Sequence, residues 1–225
     1  MQRSLFSSFV SVVVGLGTTT LAAQTTPTVS IQPPASMSPQ QSITLSGCIS
    51  PGATAADPFT LTSTTFKDGQ LMPRKVANSL STNPNCVGEN VSPQLSWTGV
   101  PDGTRSFAML MEDPEGRGGA GVHHWVAYGI PPSVTSFAEG ELSKLSDKYV
   151  GGKSTQGVGY YSGPCTPPGT PHHYTFVVIA TDLDPKELPA GLTREEFLAK
   201  LAPPAPAPSH AKGSAGLVGL FVKPQ

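Results

Sequence analysis

A mainly β domain of short strands, with one or two helices at its margin, is the fold class that this sequence predicts. Three observations carry the prediction. Glycine and proline contribute 24 residues each to a chain of 225, roughly a fifth against an average nearer 12%, which favours many turns over long helices. Several apolar runs are short and either alternate with polar residues or are rich in Val, Ile, Tyr and Phe, as strands require. A helix-start signature stands at Thr193-Arg194-Glu195-Glu196, the Thr-x-x-Glu capping box. Hydrophobic residues make up 37% of the chain, enough to bury a core.

The N-terminus reads as an address. Met1-Gln2-Arg3 supplies a positive start, and Leu5 to Leu16 is an apolar stretch of 12 residues, short of the ~20 needed to span a bilayer. Small residues lead to Leu21-Ala22-Ala23-Gln24. This order predicts a signal peptide over 1–23, cleavage after Ala23, and a mature chain that is periplasmic or secreted, with no membrane span. Residues 24–58 are Thr-, Pro-, Ser- and Gln-rich. Arg3 and Asp57 are the only charges up to residue 60, so 24–58 is expected to be a flexible arm. Within it, Ser42-Ile43-Thr44-Leu45 could pair as an edge strand. The folded domain is expected over 59–225.

Its elements follow in order. Phe59 to Ser63 alternates as a half-buried strand does, and Lys67-Asp68-Gly69 is a turn. Gln94 to Trp97 is a short strand closed by Gly99, Pro101 and Gly103. Ser106 to Glu112 is nearly all apolar and suits a strand buried on both faces. His124 to Ile130 is a strand stopped by Pro131-Pro132. His173 to Thr181 has the strongest strand signal, and Leu217 to Val222 is read as a short final strand. The capping box opens a helix that runs to about Leu201 and stops before Pro203-Pro204.

Charge excludes some functions. Charged residues make up 13%, with a net charge of −1. A basic nucleic-acid footprint and a charge-laced coiled coil are therefore ruled out. The residues with chemistry cluster at strand ends: Asp113-Pro114-Glu115, His123-His124-Trp125, the Gly163-Pro164-Cys165-Thr166-Pro167-Pro168-Gly169 loop, and His172-His173-Tyr174. Antiparallel neighbours could bring Asp113, His124, His172 and Tyr174 to one rim. Two imidazoles and a phenol suit an anionic oxygen ligand, and a Gly/Pro loop can add backbone N–H groups. Each element has a plainer reading as a packing residue, a turn starter or a stiff connection. A metal site is not expected: adjacent His residues on a strand face opposite ways, and neither a His-Glu-x-x-His nor a Cys-x-x-Cys is present. No Gly-x-Ser-x-Gly elbow and no phosphate-loop ending occur.

The constellation resembles the phosphatidylethanolamine-binding protein family, in its bacterial Raf-kinase-inhibitor-like branch, from about Leu61 to Phe221. Asn90-Val91-Ser92-Pro93-Gln94-Leu95-Ser96-Trp97, Asp113-Pro114-Glu115, His124-Trp125, Tyr161 to Tyr174 and His210 to Gly219 match its motifs in order. The resemblance implies a central antiparallel sheet, a smaller packed sheet and a few peripheral helices. It implies a small anion pocket for phosphate or a phospholipid head group, built from Asp113, Glu115, His124, His172 and Tyr174 with the backbone of Gly163, Pro164 and Pro167. It implies no cofactor and no catalytic reaction, and leaves open a kinase or peptidase as protein partner and a homodimer. A phosphoester hydrolase using Asp113, His124 and His172 is the alternative. Glu115 stands where the family has a second Asp, His173 where it has Arg, and Arg117 where it has Pro, followed by a loose Gly118 to Gly121 loop. The three cysteines are Cys48, Cys86 and Cys165. One disulfide is expected in an oxidising compartment, using Cys86 with either Cys48 or Cys165. Relatives often carry Cys at 86 and 165. A Cys48 bridge would tie down the arm and leave Cys165 as the free thiol.

Overall fold

The computed structural model describes residues 57–224. The signal segment, nearly all of the arm, the Ser42–Leu45 strand and Cys48 lie outside the described residues. The strands are β1 (Thr60–Thr62), β2 (Gln70–Leu71), β3 (Leu95–Thr98), β4 (Ser106–Asp113), β5 (Val122–Ile130), β6 (Ser136–Phe137), β7 (Val150–Gly151), β8 (His172–Thr181) and β9 (Ala211–Phe221). Two short helices join them, α1 (Gly116–Gly119) and α2 (Arg194–Leu201). A six-stranded sheet runs β2-β9-β8-β4-β5-β7, and a three-stranded sheet runs β1-β3-β6. Every pairing is antiparallel except β2 with β9.

The long strands lie where the apolar runs predict them. β4 is buried at seven of its eight positions, because both faces of the large sheet are covered. On one face Phe107, Met109 and Met111 pack with Trp125, Phe176 and Val178 against Leu61, Leu95, Trp97 and Phe137 of the smaller sheet. On the other, Ala108, Leu110, Val126 and Ile179 pack beneath Phe197 and Leu201 of α2. The final strand differs from its expected span of 217–222. It runs through all of Ala211–Phe221, pairing with β8 from His172↔Phe221 to Thr181↔Ala211. Its first half is Gly-, Ser- and Ala-rich, so cross-strand hydrogen bonding rather than side-chain pattern makes it a strand. The two-residue strands β2, β6 and β7 were not expected either, since their ladders are set wholly by distant partners.

α2 begins as its sequence predicts. Glu196 N–H donates to Thr193 Oγ1 at 3.2 Å, and Thr193 N–H donates to Glu196 Oε2 at 2.9 Å. Phe197 then stacks on Tyr128 with ring centroids 5.2 Å apart. Thr193→Ala is expected to cost about 1 kcal/mol, read as a lower midpoint in denaturant unfolding. An unchanged midpoint would mean that packing of Phe197 alone sets the helix.

Candidate functional site

The rim of the large sheet gathers three strand ends. β5 and β8 flank β4 and run antiparallel to it, so the end of β4 meets the starts of both. Asp113 pairs with Val122, and Glu112 with Thr175. Alternation alone would put His124 and Trp125 on opposite faces. The pairing steps from Met111↔Trp125 to Glu112↔His123, leaving His124 as an extra residue in β5. This bulge re-aims a side chain. His124 and Trp125 are both buried, and His123 turns to the other face, toward Glu112 and Glu195.

Asp113 is the hub of the group. Its side chain is 5% exposed. His172 Nδ1–H donates to Oδ2 at 2.9 Å, and Gly116 N–H donates to Oδ1 at 2.9 Å. His124 Nε2 stands 3.9 Å from Oδ2, beyond hydrogen-bond reach but close enough to act by charge. Burial by itself would push this carboxyl up. The two imidazoles outweigh it and hold the pKa down at about 2. His124 Nδ1–H donates to the Ser162 carbonyl at 2.7 Å, which fixes the ring and leaves Nε2 facing Asp113. Tyr174 packs edge-on against His124, with centroids 5.1 Å apart. Its hydroxyl is already engaged with Thr166 Oγ1 at 2.6 Å, and burial pushes its pKa upward.

The Gly/Pro loop is anchored through its own backbone. Gly163 N–H donates to Asn90 Oδ1 at 2.8 Å, and the Pro164 carbonyl accepts from Asn78 N–H at 2.9 Å. The Gly163 N–H is therefore spent on anchoring the loop. A Cβ at Gly163 would lie 2.1 Å from the Val76 carbonyl oxygen, so only glycine allows this approach. Cys165 in the same loop is bonded to Cys86, which selects one of the two pairings that the sequence left open for Cys86. The chain folds its 77–90 segment directly onto the loop, a closeness that cysteine counting cannot reveal. Pro167 is exposed on the outer side.

Glu115 belongs to the rim rather than the hub. His173 Nδ1–H donates to its Oε1 at 2.6 Å and His173 N–H to its Oε2 at 3.1 Å. Burial pushes the Glu115 carboxyl up and the His173 contacts bring it below its usual value. The two departures from the family motifs thus meet each other: the longer acid reaches the imidazole that stands in place of Arg. Both partners are largely exposed, so the pair contributes little to stability. Ligand atoms of Asp113, Glu115 and His172 lie within 4.8 Å of one another. The loop after Glu115 is not loose, because Gly119 N–H donates to the Glu115 carbonyl and Gly121 N–H to that of Gly116. Arg117 takes a left-handed conformation, φ 54°, and is exposed. Sequence reasoning missed the Ser162 carbonyl, Thr166 and Asn90. Asn90 alone carried a signal, being a residue type that tolerates its left-handed φ of 57°.

Comparison with known proteins shows the family and the fold. Residues 62–212 match the family described as phosphatidylethanolamine-binding protein. A UPF0098 protein of Methanothermobacter thermautotrophicus is 36% identical over 138 residues, covering 60% of this chain and 85% of the relative. UPF0098 protein YbcL of Escherichia coli is 36% identical over 127 residues, covering 54% and 68%. The crystal structure of YbcL, described as a new member of the mammalian PEBP family, superposes with a TM-score of 0.62. That superposition has 29% identity and covers 73% of this chain and 98% of YbcL.

Proposed function

The chain belongs to the phosphatidylethanolamine-binding protein family, and from that premise we propose that it is an exported, non-enzymatic binding protein that holds a small phosphate-like anion between His124 and His172. The observation that carries the reading is the buried Asp113 carboxylate shared by two imidazoles at 2.9 and 3.9 Å. Asp113 sets the His172 ring so that Nδ1 carries a proton and Nε2 is left for a ligand. The Ser162 carbonyl does the same for His124. Once protonated, His124 and His172 would offer two charge-assisted donors beside each other.

The same carboxylate also selects. A fully deprotonated dianion would be repelled by Asp113. A ligand with one anionic oxygen and one donor fits better: a phosphate P–OH, or the ammonium of a phosphoethanolamine head group, can meet Asp113 while the anionic oxygens meet the imidazoles. Export is supported by the N-terminal pattern and by the Cys86–Cys165 bridge, which persists in oxidising compartments. No helix among the described residues is long and apolar enough to cross a membrane.

The test is calorimetric titration of wild type, His124→Ala and His172→Ala with phosphoethanolamine and with methanesulfonate. Each variant is expected to lose roughly ten- to a hundredfold in affinity, since a charged hydrogen bond is worth about 1.5–3 kcal/mol. Methanesulfonate stays a monoanion, so its affinity reports on the protein's own groups and not on ionisation of the probe. Equal affinity in all three folded proteins would overturn the proposal. Turnover of a generic phosphoester, lost in His172→Ala, would replace it with the hydrolase.

A further inference from the structure

We propose that a second cleft, behind the 161–165 segment, is a binding site for an uncharged saccharide. The cleft has a volume of about 450 Å³, within the ~300–1,000 Å³ of small-ligand sites. It is lined by Asn78, Asn90, Gln156 and Ser162, with Tyr160 and Leu80 supplying apolar surface. Among the described residues no Asp, Glu, Lys, Arg or His lines it, which sets it apart from the charged hub around Asp113.

Its walls are held in place. One is the 77–90 strap. Asn78 N–H donates to the Pro164 carbonyl at 2.9 Å, Asn90 N–H to the Ala77 carbonyl at 2.7 Å, and Cys86 is bonded to Cys165. The other is the turn at Ser154 to Val158. Val158 N–H donates to Ser154 Oγ at 3.2 Å, and Gly157 takes φ 79°. A binding wall that is ordered beforehand loses little entropy when a ligand arrives.

The lining chemistry points to the ligand class. Asn78 Nδ2 spends one N–H on Ser162 Oγ at 3.0 Å and keeps the other, and the Ser162 hydroxyl keeps its own hydrogen. The side chains of Gln156 and Tyr160 make no hydrogen bond to other described residues and are not fully buried. A neutral set of amides and hydroxyls beside one aromatic ring matches a molecule with a rim of hydroxyls and an apolar ring face. That is a sugar. A charged ligand would lose its hydration here with no counter-charge among the described lining residues to meet it.

The test uses N-acetylglucosamine and di-N-acetylchitobiose, both uncharged, in an amide-resolved NMR titration of the mature protein. Saturable shifts are expected at residues 78–81 and 156–160, with a dissociation constant on the order of 1 mM. Tyr160→Ala and Gln156→Ala lie on the surface of the turn region and should leave the unfolding midpoint in place. Each should weaken the saccharide roughly three- to tenfold, the range for losing a neutral hydrogen bond or a ring contact, while methanesulfonate affinity stays at the wild-type value. Absence of saturable shifts in those two segments with either sugar, or wild-type sugar affinity in both variants, would overturn the proposal.

Discussion

Replacing Cys86 and Cys165 together by serine is expected to lower the unfolding free energy by about 4–5 kcal/mol, as the loop-entropy relation gives for a closed loop of this size. The two residues are 79 apart in sequence. A domain of ordinary stability, about 5–15 kcal/mol, would lose a large share of it. The measurement is denaturant unfolding of both proteins at pH 7, with the reduced wild type as a third sample. A loss below about 1 kcal/mol would mean that the unfolded chain without the bridge already keeps the two segments near each other. The bridge also bears on the site. The Cys165 loop adjoins Ser162, whose carbonyl orients His124, so anion affinity should fall in the variant even where it remains folded.

Asp113→Ala should destabilise the protein by about 3 kcal/mol at neutral pH, because it strips a buried charge partner from His172 and orphans the Gly116 N–H. Asp113→Asn separates charge from shape. In the wild type, burial pushes the carboxyl up but the His124 and His172 contacts hold it at about 2, below the ordinary 3.8. A depressed folded-state pKa stabilises above the unfolded value and is lost on acidification. About 2 kcal/mol is therefore present above roughly pH 4 and disappears as pH falls toward 2. The stability gap between wild type and Asp113→Asn should shrink by that amount across this window. A gap independent of pH would mean that the imidazoles do not favour the ionised carboxylate.

Much of this was legible from local pattern. β4, β5 and β8 are long, apolar and bounded by turn residues, so their existence follows from burial and β-propensity. The Thr193 cap is likewise local, since both of its partners lie within one turn of chain. The grouping of Asp113, His124 and His172 was legible because antiparallel neighbours must bring opposite ends together. The inward turn of His124 was not: alternation predicts that it and Trp125 diverge, and only the register shift in β5 overrides this. The N-terminal half of β9 was hidden for a related reason. Lys212-Gly213-Ser214-Ala215-Gly216 has weak strand propensity, and its conformation comes from the ladder to β8.

The site itself divides along the same line. By itself the sequence determined the residue types at the strand ends, the order in which they occur and the family they resemble, because these follow from short-range spacing. Tertiary structure alone decided what each one touches. It paired Cys86 with Cys165, gave Gly163 N–H to Asn90 and the Tyr174 hydroxyl to Thr166, and set Glu115 on His173. The cysteine, glycine and asparagine pairs join segments more than seventy residues apart, and even the closer contacts form only where separate loops pack. A local pattern records propensity and periodicity. It does not record which of several polar partners will be nearest once two loops have been packed against the same rim.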